Sequence, residues 1–329
     1  MRASALSASG QFEVVEVDDP TPGPEDLVLR VTGCGICGSD LKTRPMLPAQ
    51  TVMGHEFCGE VVAVGTSAAA TWHEGMHAAS LPLFSCGRCD HCRAGFVAHC
   101  TEVVMVGLGG SPGGFSELVR VSAGLSVALP PSVPPAWGPL VEPFAVGLHA
   151  ARMADIQAGD RVLVIGGGPV GLTVAAWARH LGAGTVTVSD PAARRRDAAA
   201  QFGATAAVDP TTDGLGGPYD VVFECVGKPG LVDASTMAVA TQGRIVIVGV
   251  CTEPEPFLPV IPLMKEATMR FAVYYRADEF GTVIDAFADG SIDPAPLITR
   301  TAGLADLDDA FDALITSPSD LKVVIDPSA

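Results

Sequence analysis

Short runs that alternate apolar and polar residues fill the chain as far as a proline-rich stretch at 129–135. Three of them lie at 28–31, 59–64 and 115–121, in a part of the chain that is rich in Gly, Pro and β-branched residues. Phe12, Val14, Val15 and Val17 follow the same alternation near the N-terminus. This pattern predicts an irregular, mostly β domain. Because prolines interrupt both sheets and helices, we expect a domain boundary at the proline-rich stretch.

After residue 160 the pattern changes to β-branched runs that alternate with helical runs. Predicted strands at 162–165, 185–189, 221–225 and 244–250 are separated by predicted helices at 170–181, 191–202 and 231–240. This order is typical of a doubly wound α/β fold with a parallel sheet. Two acidic helical runs and a strand at 321–325 end the chain and are too short for a domain, so we expect them to rejoin the first one. The predicted domains are therefore 1–132 with 274–329, and 133–273.

Composition and charge narrow the possible functions. The 329 residues are 48% hydrophobic and 17% charged, which is typical of a folded globular chain, and the net charge is −17. The only basic cluster is Arg194–Arg196. Nucleic acid and anionic membranes would be repelled, so neither is an expected partner. The N-terminus lacks the apolar segment of a signal peptide, and we expect a cytoplasmic protein whose nine cysteines are metal ligands or buried thiols.

A glycine-rich motif follows the first strand of the α/β pattern. Gly166, Gly168 and Gly171 take the three glycine positions of G-x-G-x-x-G, while Pro169 and Val170 stand where a helix begins. Such a loop lets a pyrophosphate approach the backbone and the helix N-terminus. The motif therefore predicts a dinucleotide site, against the alternative of a glycine-rich turn without a ligand.

Asp190 lies at the end of the next predicted strand, where an acid binds the adenosine ribose of NAD. Its charge would repel the 2′-phosphate of NADP, which favours NAD. Arg195 and its basic neighbours keep NADP possible, although a solvated helix face is the favoured explanation of these arginines.

Four cysteines lie within fifteen residues as C-x2-C-x2-C-x7-C: Cys86, Cys89, Cys92 and Cys100. Four thiolates close a tetrahedral shell, which is typical of structural zinc. An iron–sulfur cluster is the alternative, but no proline follows the fourth cysteine and no second cluster exists in the sequence. We therefore predict a structural zinc lobe at 86–100.

A second set of candidate metal ligands is dispersed along the chain: Cys37, the pair His55 and Glu56, and Glu142. Sulfur, nitrogen and oxygen ligands from distant segments are typical of a catalytic zinc site with an exchangeable position. Spacing alone leaves alternatives open. Cys34 and Cys37 could form a redox pair or half of a zinc knuckle, and His55 could be structural.

Five ordered motifs resemble those of the zinc-dependent medium-chain dehydrogenase/reductase superfamily, in its sorbitol and threonine dehydrogenase-like branch: GCGICGSD, GHEFCGEVVAVG, the four-cysteine lobe, LVEPFAVGLHA and VLVIGGGPVG. The resemblance spans essentially the whole chain. It implies a GroES-like, mostly β catalytic domain and a Rossmann domain, with two zinc ions and NAD as cofactors, NADP being possible.

The resemblance also implies individual roles. Cys37 and His55 would ligate zinc, with Glu56 and Glu142 as carboxylates that ligate directly or through water. Ser39 would be the hydroxyl beside the reacting oxygen, and Arg276 would contact substrate. Two features depart from the family: Lys42 replaces the histidine that ends the proton relay, and the segment between Asp40 and His55 is short.

The expected reaction is hydride transfer between a secondary alcohol, such as a polyol, sugar alcohol or amino or hydroxy alcohol, and NAD. An NADP-preferring ketone or aldehyde reductase would use the same residues. A non-catalytic NAD-binding protein is the alternative from another class, but such a change usually removes the ligands that are present here. We expect a small alcohol or ketone as substrate, and a homodimer or homotetramer.

Overall fold

A computed structural model describes residues 1–316 and 320–329. The described chain divides into two compact units. The first contains Met1–Glu142, Arg276–Gly290 and Leu297–Ala329; the second contains Pro143–Tyr275 and Ser291–Pro296. The first unit therefore continues beyond position 132. A helical turn at Pro135–Leu140 explains this extension, because a side chain on Gly33 would lie 2.9 Å from Pro139 and one on Gly138 would lie 2.2 Å from Cys58.

The strands follow one another along the chain. The first unit contains β1 (Arg2–Leu6), β2 (Phe12–Glu16), β3 (Asp26–Gly35), β4 (Glu56–Val64), β5 (His77–Ser80), β6 (Leu83–Phe84), β7 (Val104–Met105), β8 (Leu118–Ser122) and β9 (Ser126–Ala128). The second unit contains β10 (Arg161–Ile165), β11 (Thr185–Ser189), β12 (Ala206–Val208), β13 (Tyr219–Glu224), β14 (Val239–Ile247) and β15 (Thr268–Phe271). The returning chain adds β16 (Ile298–Ala302) and β17 (Lys322–Ile325) to the first unit.

The α-helices range from four to thirteen residues in length. They are α1 (Gly38–Thr43), α2 (Asp90–Arg93), α3 (Val141–Met153), α4 (Pro169–His180), α5 (Ala193–Ala199), α6 (Leu231–Ala238), α7 (Val260–Met264), α8 (Glu279–Ala288) and α9 (Leu307–Thr316). Across the described ranges, no helix combines the length and apolar character that crossing a bilayer requires.

The first unit is built on a mixed sheet with the order β16-β17-β3-β4-β5-β9, and β8 also pairs with β3. β3 and β4 are antiparallel, with Gly35 opposite Glu56 at one end. Leu27, Leu29 and Val31 of β3 are buried in the unit's core together with Phe115 and Phe311. The alternation that predicts β structure here is therefore the alternation between core and outer face.

The second unit is a parallel sheet with the order β12-β11-β10-β13-β14-β15. The predicted doubly wound fold is confirmed, and the unbroken apolar runs of its central strands follow from burial on both faces. Val162, Leu163 and Val164 of β10 are fully buried. The alternation of runs does not predict β12, because three residues that are partly exposed leave no apolar signature. Helix α5 begins at Ala193, two residues after the predicted start, because the Asp190 carboxylate accepts the Ala192 N–H and fixes a turn before it.

Candidate active site

Three of the predicted metal ligands come together in the first unit. Donor atoms of Cys37, His55 and Glu56 all lie within 4.8 Å of one another, and His55 and Glu56 are buried. Cys37 is the N-cap of α1, immediately after β3 ends, while Glu56 is the first residue of β4. Because β3 and β4 are neighbours in the sheet, their adjoining ends carry these ligands to one place.

Gly54 makes the turn that presents His55 and Glu56 together. Its φ is +96°, and an added Cβ would lie 2.7 Å from Cys34 Sγ and 2.9 Å from Phe115. Adjacent residues of a regular strand point to opposite faces, so we expected a non-strand conformation from Gly54 to Glu56. Gly54 and His55 follow that expectation. Glu56 does not, because it already pairs with Gly35 as the start of β4.

Asp40 lies beside the His55 ring. His55 Nδ1 lies 3.1 Å from Asp40 Oδ1, and Asp40 is completely buried. Its other oxygen accepts the Cys37 N–H at 2.9 Å, so a single carboxylate contacts two of the metal-ligand residues. On the far side of the ring, Ser39 Oγ lies 3.4 Å from Nε2. Burial lowers the pKa of His55, but Asp40 and Cys37 outweigh it and raise this pKa well above its ordinary value.

Lys322 of β17 is the partner of Glu56. Its Nζ lies 2.7 Å from Oε1 and 2.6 Å from Oε2, and it also donates to the Ile36 carbonyl at 3.0 Å. Both side chains are 1% exposed. Burial lowers the pKa of Lys322, whereas the charges of Glu56, Cys37 and Glu142 raise it, and the net change is upward. The two groups are therefore within salt-bridge distance in a buried environment.

This donor set fits zinc. Thiolate, imidazole and carboxylate are the ligand types of catalytic zinc sites. Since His55 Nδ1 faces Asp40, Nε2 is the ring nitrogen that can bind a metal, and a carboxylate behind a ligating histidine is the usual outer-shell arrangement. Glu142, the second residue of α3, is buried and close enough to Lys322 to raise its pKa. It lies outside the group of three donors that share the 4.8 Å range.

Two further predicted residues lie near the surface. Lys42 is exposed in the last turn of α1, one turn after Ser39. Arg276 lies against the four-cysteine lobe: its guanidinium is 4.8 Å from the centre of the Phe96 ring and donates to the Ala94 carbonyl at 3.0 Å.

The four cysteines of the lobe, Cys86, Cys89, Cys92 and Cys100, also converge to within 4.8 Å. Backbone N–H groups of Cys86 and Glu102 point at Cys100 Sγ, each at 3.3 Å. Such donors lower the pKa of Cys100 and stabilise the thiolate, the form that binds zinc. Each of the nine cysteines, all within the described residues, carries a free thiol.

The glycine-rich loop joins β10 to α4 in the second unit. Gly166 has φ +102°, and Gly171 permits no side chain, because an added Cβ would lie 1.8 Å from the Gly166 carbonyl oxygen. Gly168 caps α4, and nothing lies within 4 Å of where its Cβ would be. Pro169 and Val170 form the first turn of this helix. The loop therefore offers open space at a helix N-terminus, which fits a pyrophosphate.

Asp190 follows β11 and is only 3% exposed. Its Oδ2 accepts the Gly167 N–H at 2.9 Å, so this acid also holds the glycine-rich loop. Arg195 Nη1 lies 3.5 Å from the same oxygen, and the buried Nε of Arg195 has no hydrogen-bond partner among the described residues.

Asp40 and Lys322 are site residues that sequence analysis did not select. Asp40 stands three residues after Cys37, the spacing at which a helix N3 residue faces its N-cap, and that spacing was a usable signal. Lys322 is a lone cation in the otherwise apolar run 321–325, which indicates a buried charge with a partner.

Dinucleotide binding and a metal site with mixed ligands are the two requirements of a zinc-dependent dehydrogenase, and this is the class that fold and site define. The zinc-binding dehydrogenase family matches residues 169–289, and the alcohol dehydrogenase GroES-like domain matches residues 23–131. The chain is 31% identical to (R,R)-butanediol dehydrogenase of Bacillus subtilis over the full length of both, and 27% identical to sorbitol dehydrogenase of the same organism over 100% of this chain and 98% of that one.

Among solved structures, a zinc-binding dehydrogenase from Sinorhizobium meliloti bound to NADP superposes with a TM-score of 0.90 at 33% identity, covering 99% of each chain. The chain belongs to the zinc-dependent medium-chain alcohol dehydrogenase family. The resemblance stated from its motifs is confirmed, as are the GroES-like and Rossmann fold class and the assignment as an NAD(P)-dependent oxidoreductase.

Proposed function

We propose that this chain catalyses hydride transfer between a secondary alcohol and NAD, with residues 1–132 and 274–329 as the catalytic domain and 133–273 as the dinucleotide-binding domain. The observation that carries the proposal is the buried convergence of Cys37, His55 and Glu56 to within 4.8 Å. The substrate class is a polyol, sugar alcohol, or amino or hydroxy alcohol, in keeping with the names of the butanediol and sorbitol dehydrogenases to which the chain is similar.

Cys37, His55 and Glu56 would hold the catalytic zinc, with Glu142 as a further carboxylate, and the four cysteines of the lobe would hold a structural zinc. When bound, the catalytic zinc supplies a Lewis acid for the substrate oxygen, and NAD supplies the hydride acceptor. The chain must orient the ligands, bind the substrate and remove the hydroxyl proton.

Ser39 would receive that proton. This role is supported by its Oγ, which lies beside the ring edge of His55 that faces away from Asp40. One helical turn further along α1, Lys42 is exposed to solvent. The ammonium group of a lysine donates hydrogen bonds and accepts none. We assign Lys42 an electrostatic role toward a cofactor phosphate or a substrate oxygen, with water carrying the proton from Ser39.

The glycine-rich loop and Asp190 would bind the cofactor. Gly168 leaves the helix N-terminus open to the pyrophosphate, while Gly166 and Gly171 permit the tight turn before it. Asp190 would accept hydrogen bonds from the adenosine ribose hydroxyls. Because a 2′-phosphate would meet the Asp190 charge, NAD is the preferred cofactor.

Arg195 favours a second candidate, an NADP-preferring reductase that uses the same site on a ketone or aldehyde. Its buried Nε lacks a partner among the described residues, and a 2′-phosphate oxygen would satisfy it. NADP is also the nucleotide bound to the Sinorhizobium meliloti relative.

Self-association into a homodimer or homotetramer is a further part of the proposal. It is supported by exposed apolar side chains of the second unit at and before β15, where Met264 is 73% and Phe271 69% exposed. Nine free thiols suit a reducing compartment, which supports the cytoplasm.

The test is the rate of NADH formation by zinc-loaded protein with a panel of diols, polyols and β-hydroxy amino acids, repeated with NADP. We expect turnover of at least one secondary alcohol, with NAD preferred. Turnover of primary alcohols alone would contradict the substrate class, and a preference for NADPH with ketones would establish the second candidate.

A further inference from the structure

Glu224 is a buried carboxylate that neither the glycine-rich motif nor the zinc ligands account for. It is the last residue of β13 and is 1% exposed. An acid is costly to bury unless its oxygens are hydrogen-bonded, so its contacts indicate what it stabilises.

Glu224 accepts hydrogen bonds from two loops. Glu224 Oε1 accepts the N–H groups of Val226 and Gly227, both at 2.8 Å. The Glu224 main-chain carbonyl accepts the N–H groups of Val248 and Gly249, at 2.8 and 2.9 Å. Glu224 therefore holds the loop that leaves β13 with its carboxylate and the loop that leaves β14 with its backbone.

These two loops are packed so closely that the contact requires glycine. An added Cβ on Gly249 would lie 2.1 Å from the Gly227 nitrogen and 2.5 Å from Glu224 Oε2. The glycine-rich loop joins the same contact, because an added Cβ on Gly166 would lie 2.6 Å from Val226 Cγ2. The loop that the Glu224 carboxylate holds is therefore in contact with the other two loops.

The position of Glu224 in the sheet relates it to a ligand. β10 is followed in space by β11 and β12 on one side and by β13, β14 and β15 on the other, so the winding direction reverses between β10 and β13. Ligands of doubly wound sheets bind at the carboxyl ends of the strands at this point. Asp190 follows β11, on the adenosine side. The other half of a dinucleotide would then lie over the loops that leave β13 and β14.

We propose that Glu224 is a positioning residue for the nicotinamide half of the cofactor, acting through the loops 225–228 and 248–250. This inference rests on the proposed function. Removing the carboxylate leaves two backbone donors without their acceptor and lets the loops that it ties move, while Asp190 and its contact with Gly167 are retained. The affinity for the whole cofactor should then fall, whereas the affinity for its adenosine half should be unchanged.

The experiment compares wild type with Glu224→Ala, Glu224→Gln and Asp220→Ala. Asp220 is a matched control, because it also accepts a backbone N–H, from Arg161 at 2.9 Å. It lies near the amino end of β13, whereas Glu224 lies at the carboxyl end. Titration calorimetry measures the Kd of NADH and of AMP, which contains the adenosine half only. Circular dichroism and the melting temperature verify that each variant is folded.

We expect Glu224→Ala to raise the Kd of NADH about tenfold or more, the effect of leaving buried donors unsatisfied, with the Kd of AMP unchanged. Glu224→Gln retains an acceptor oxygen, so it should raise the Kd of NADH less and leave the Kd of AMP unchanged. If Glu224→Ala does not fold, the glutamine variant is used in its place. Asp220→Ala should lower the melting temperature and change neither Kd.

Equal weakening of NADH and AMP binding, or unchanged NADH binding in folded Glu224→Ala, would overturn the role of Glu224 without affecting the proposed function. Failure of the wild type to bind NADH would contradict the proposed function and this inference together.

Discussion

Lys322 Nζ and Glu56 Oε2 lie 2.6 Å apart, and each side chain is 1% exposed. The two residues come from strands at opposite ends of the sequence, β17 and β4. A carboxylate held by an ammonium group on both oxygens keeps one orientation. Glu56 thereby remains beside Cys37 and His55 while its charge is balanced, so Lys322 belongs to the site although it is absent from every motif.

Lys322→Met should destabilise the protein strongly. Removing one partner of a buried ion pair leaves the other charge uncompensated and costs about 3–5 kcal/mol. Arg30→Met is the control, since it removes a surface pair with Glu60 in the same unit, at 3.2 Å and with the arginine side chain 60% exposed. That pair contributes about 0–1 kcal/mol. Denaturation midpoints of the two variants measure the difference, and equal midpoints would show that the buried pair contributes nothing special.

Asp40→Asn should weaken zinc binding at the Cys37, His55 and Glu56 site. Outer-shell partners of metal-binding histidines are worth about 10- to 100-fold in metal affinity. The amide retains an oxygen for the Cys37 N–H but loses the charge beside His55 Nδ1. Competition with a chromophoric chelator measures the affinity. An unchanged zinc Kd would mean that Asp40 serves only to cap α1.

Fresh protein should contain two zinc ions per chain, which differ in lability. Four thiolates enclose one ion, whereas the site of mixed ligands keeps an exchangeable position. Mild chelation should therefore remove one equivalent and abolish activity before the second equivalent leaves the lobe. Elemental analysis during dialysis against a chelator follows both steps. One zinc in fresh protein, or iron in the lobe, would refute the assignment.

Asp190→Ala should narrow the preference for NAD over NADP, because the charge that repels a 2′-phosphate is removed. The alanine also loses the acceptor for the Gly167 N–H, so NAD binding itself should weaken. Asp190→Asn separates the two effects, since it keeps an acceptor oxygen without the charge. The Kd values of NADH and NADPH measure both. A wild-type preference for NADPH would mean that Arg195 outweighs Asp190.

Local patterns predict most of the fold and of the ligand set. The runs 162–165 and 185–189 predict β10 and β11 closely, because both are short runs rich in β-branched residues, which are favoured in strands. The cysteine spacing predicts the four-cysteine cluster, and the glycine-rich motif predicts the loop before α4, because each motif is contained in a short segment of the chain. Lys322 could not be paired with Glu56 in this way. Their contact depends on β17 joining the sheet beside β3, a long-range pairing that leaves no periodic signal.

The sequence predicts only part of the role of Asp190. Its position after β11 indicates a ribose ligand, but its contacts with Gly167 and Ala192 show that it also shapes the loop before any cofactor binds. Spacing indicates where a residue lies along the chain. It does not indicate how many hydrogen-bond donors that residue accepts from.

We propose that zinc at Cys37, His55 and Glu56 enables alcohol oxidation by NAD. The variant His55→Ala tests this role of zinc most directly. The control is His73→Ala, an exposed histidine of the same unit. Initial rates of NADH formation with the best secondary alcohol, measured before and after zinc reconstitution, are compared among wild type and the two variants. We predict full zinc-dependent activity in wild type and His73→Ala, and loss of activity with loss of one zinc equivalent in His55→Ala. Wild-type rates in His55→Ala, or equal rates in zinc-free and zinc-loaded wild type, would contradict the account.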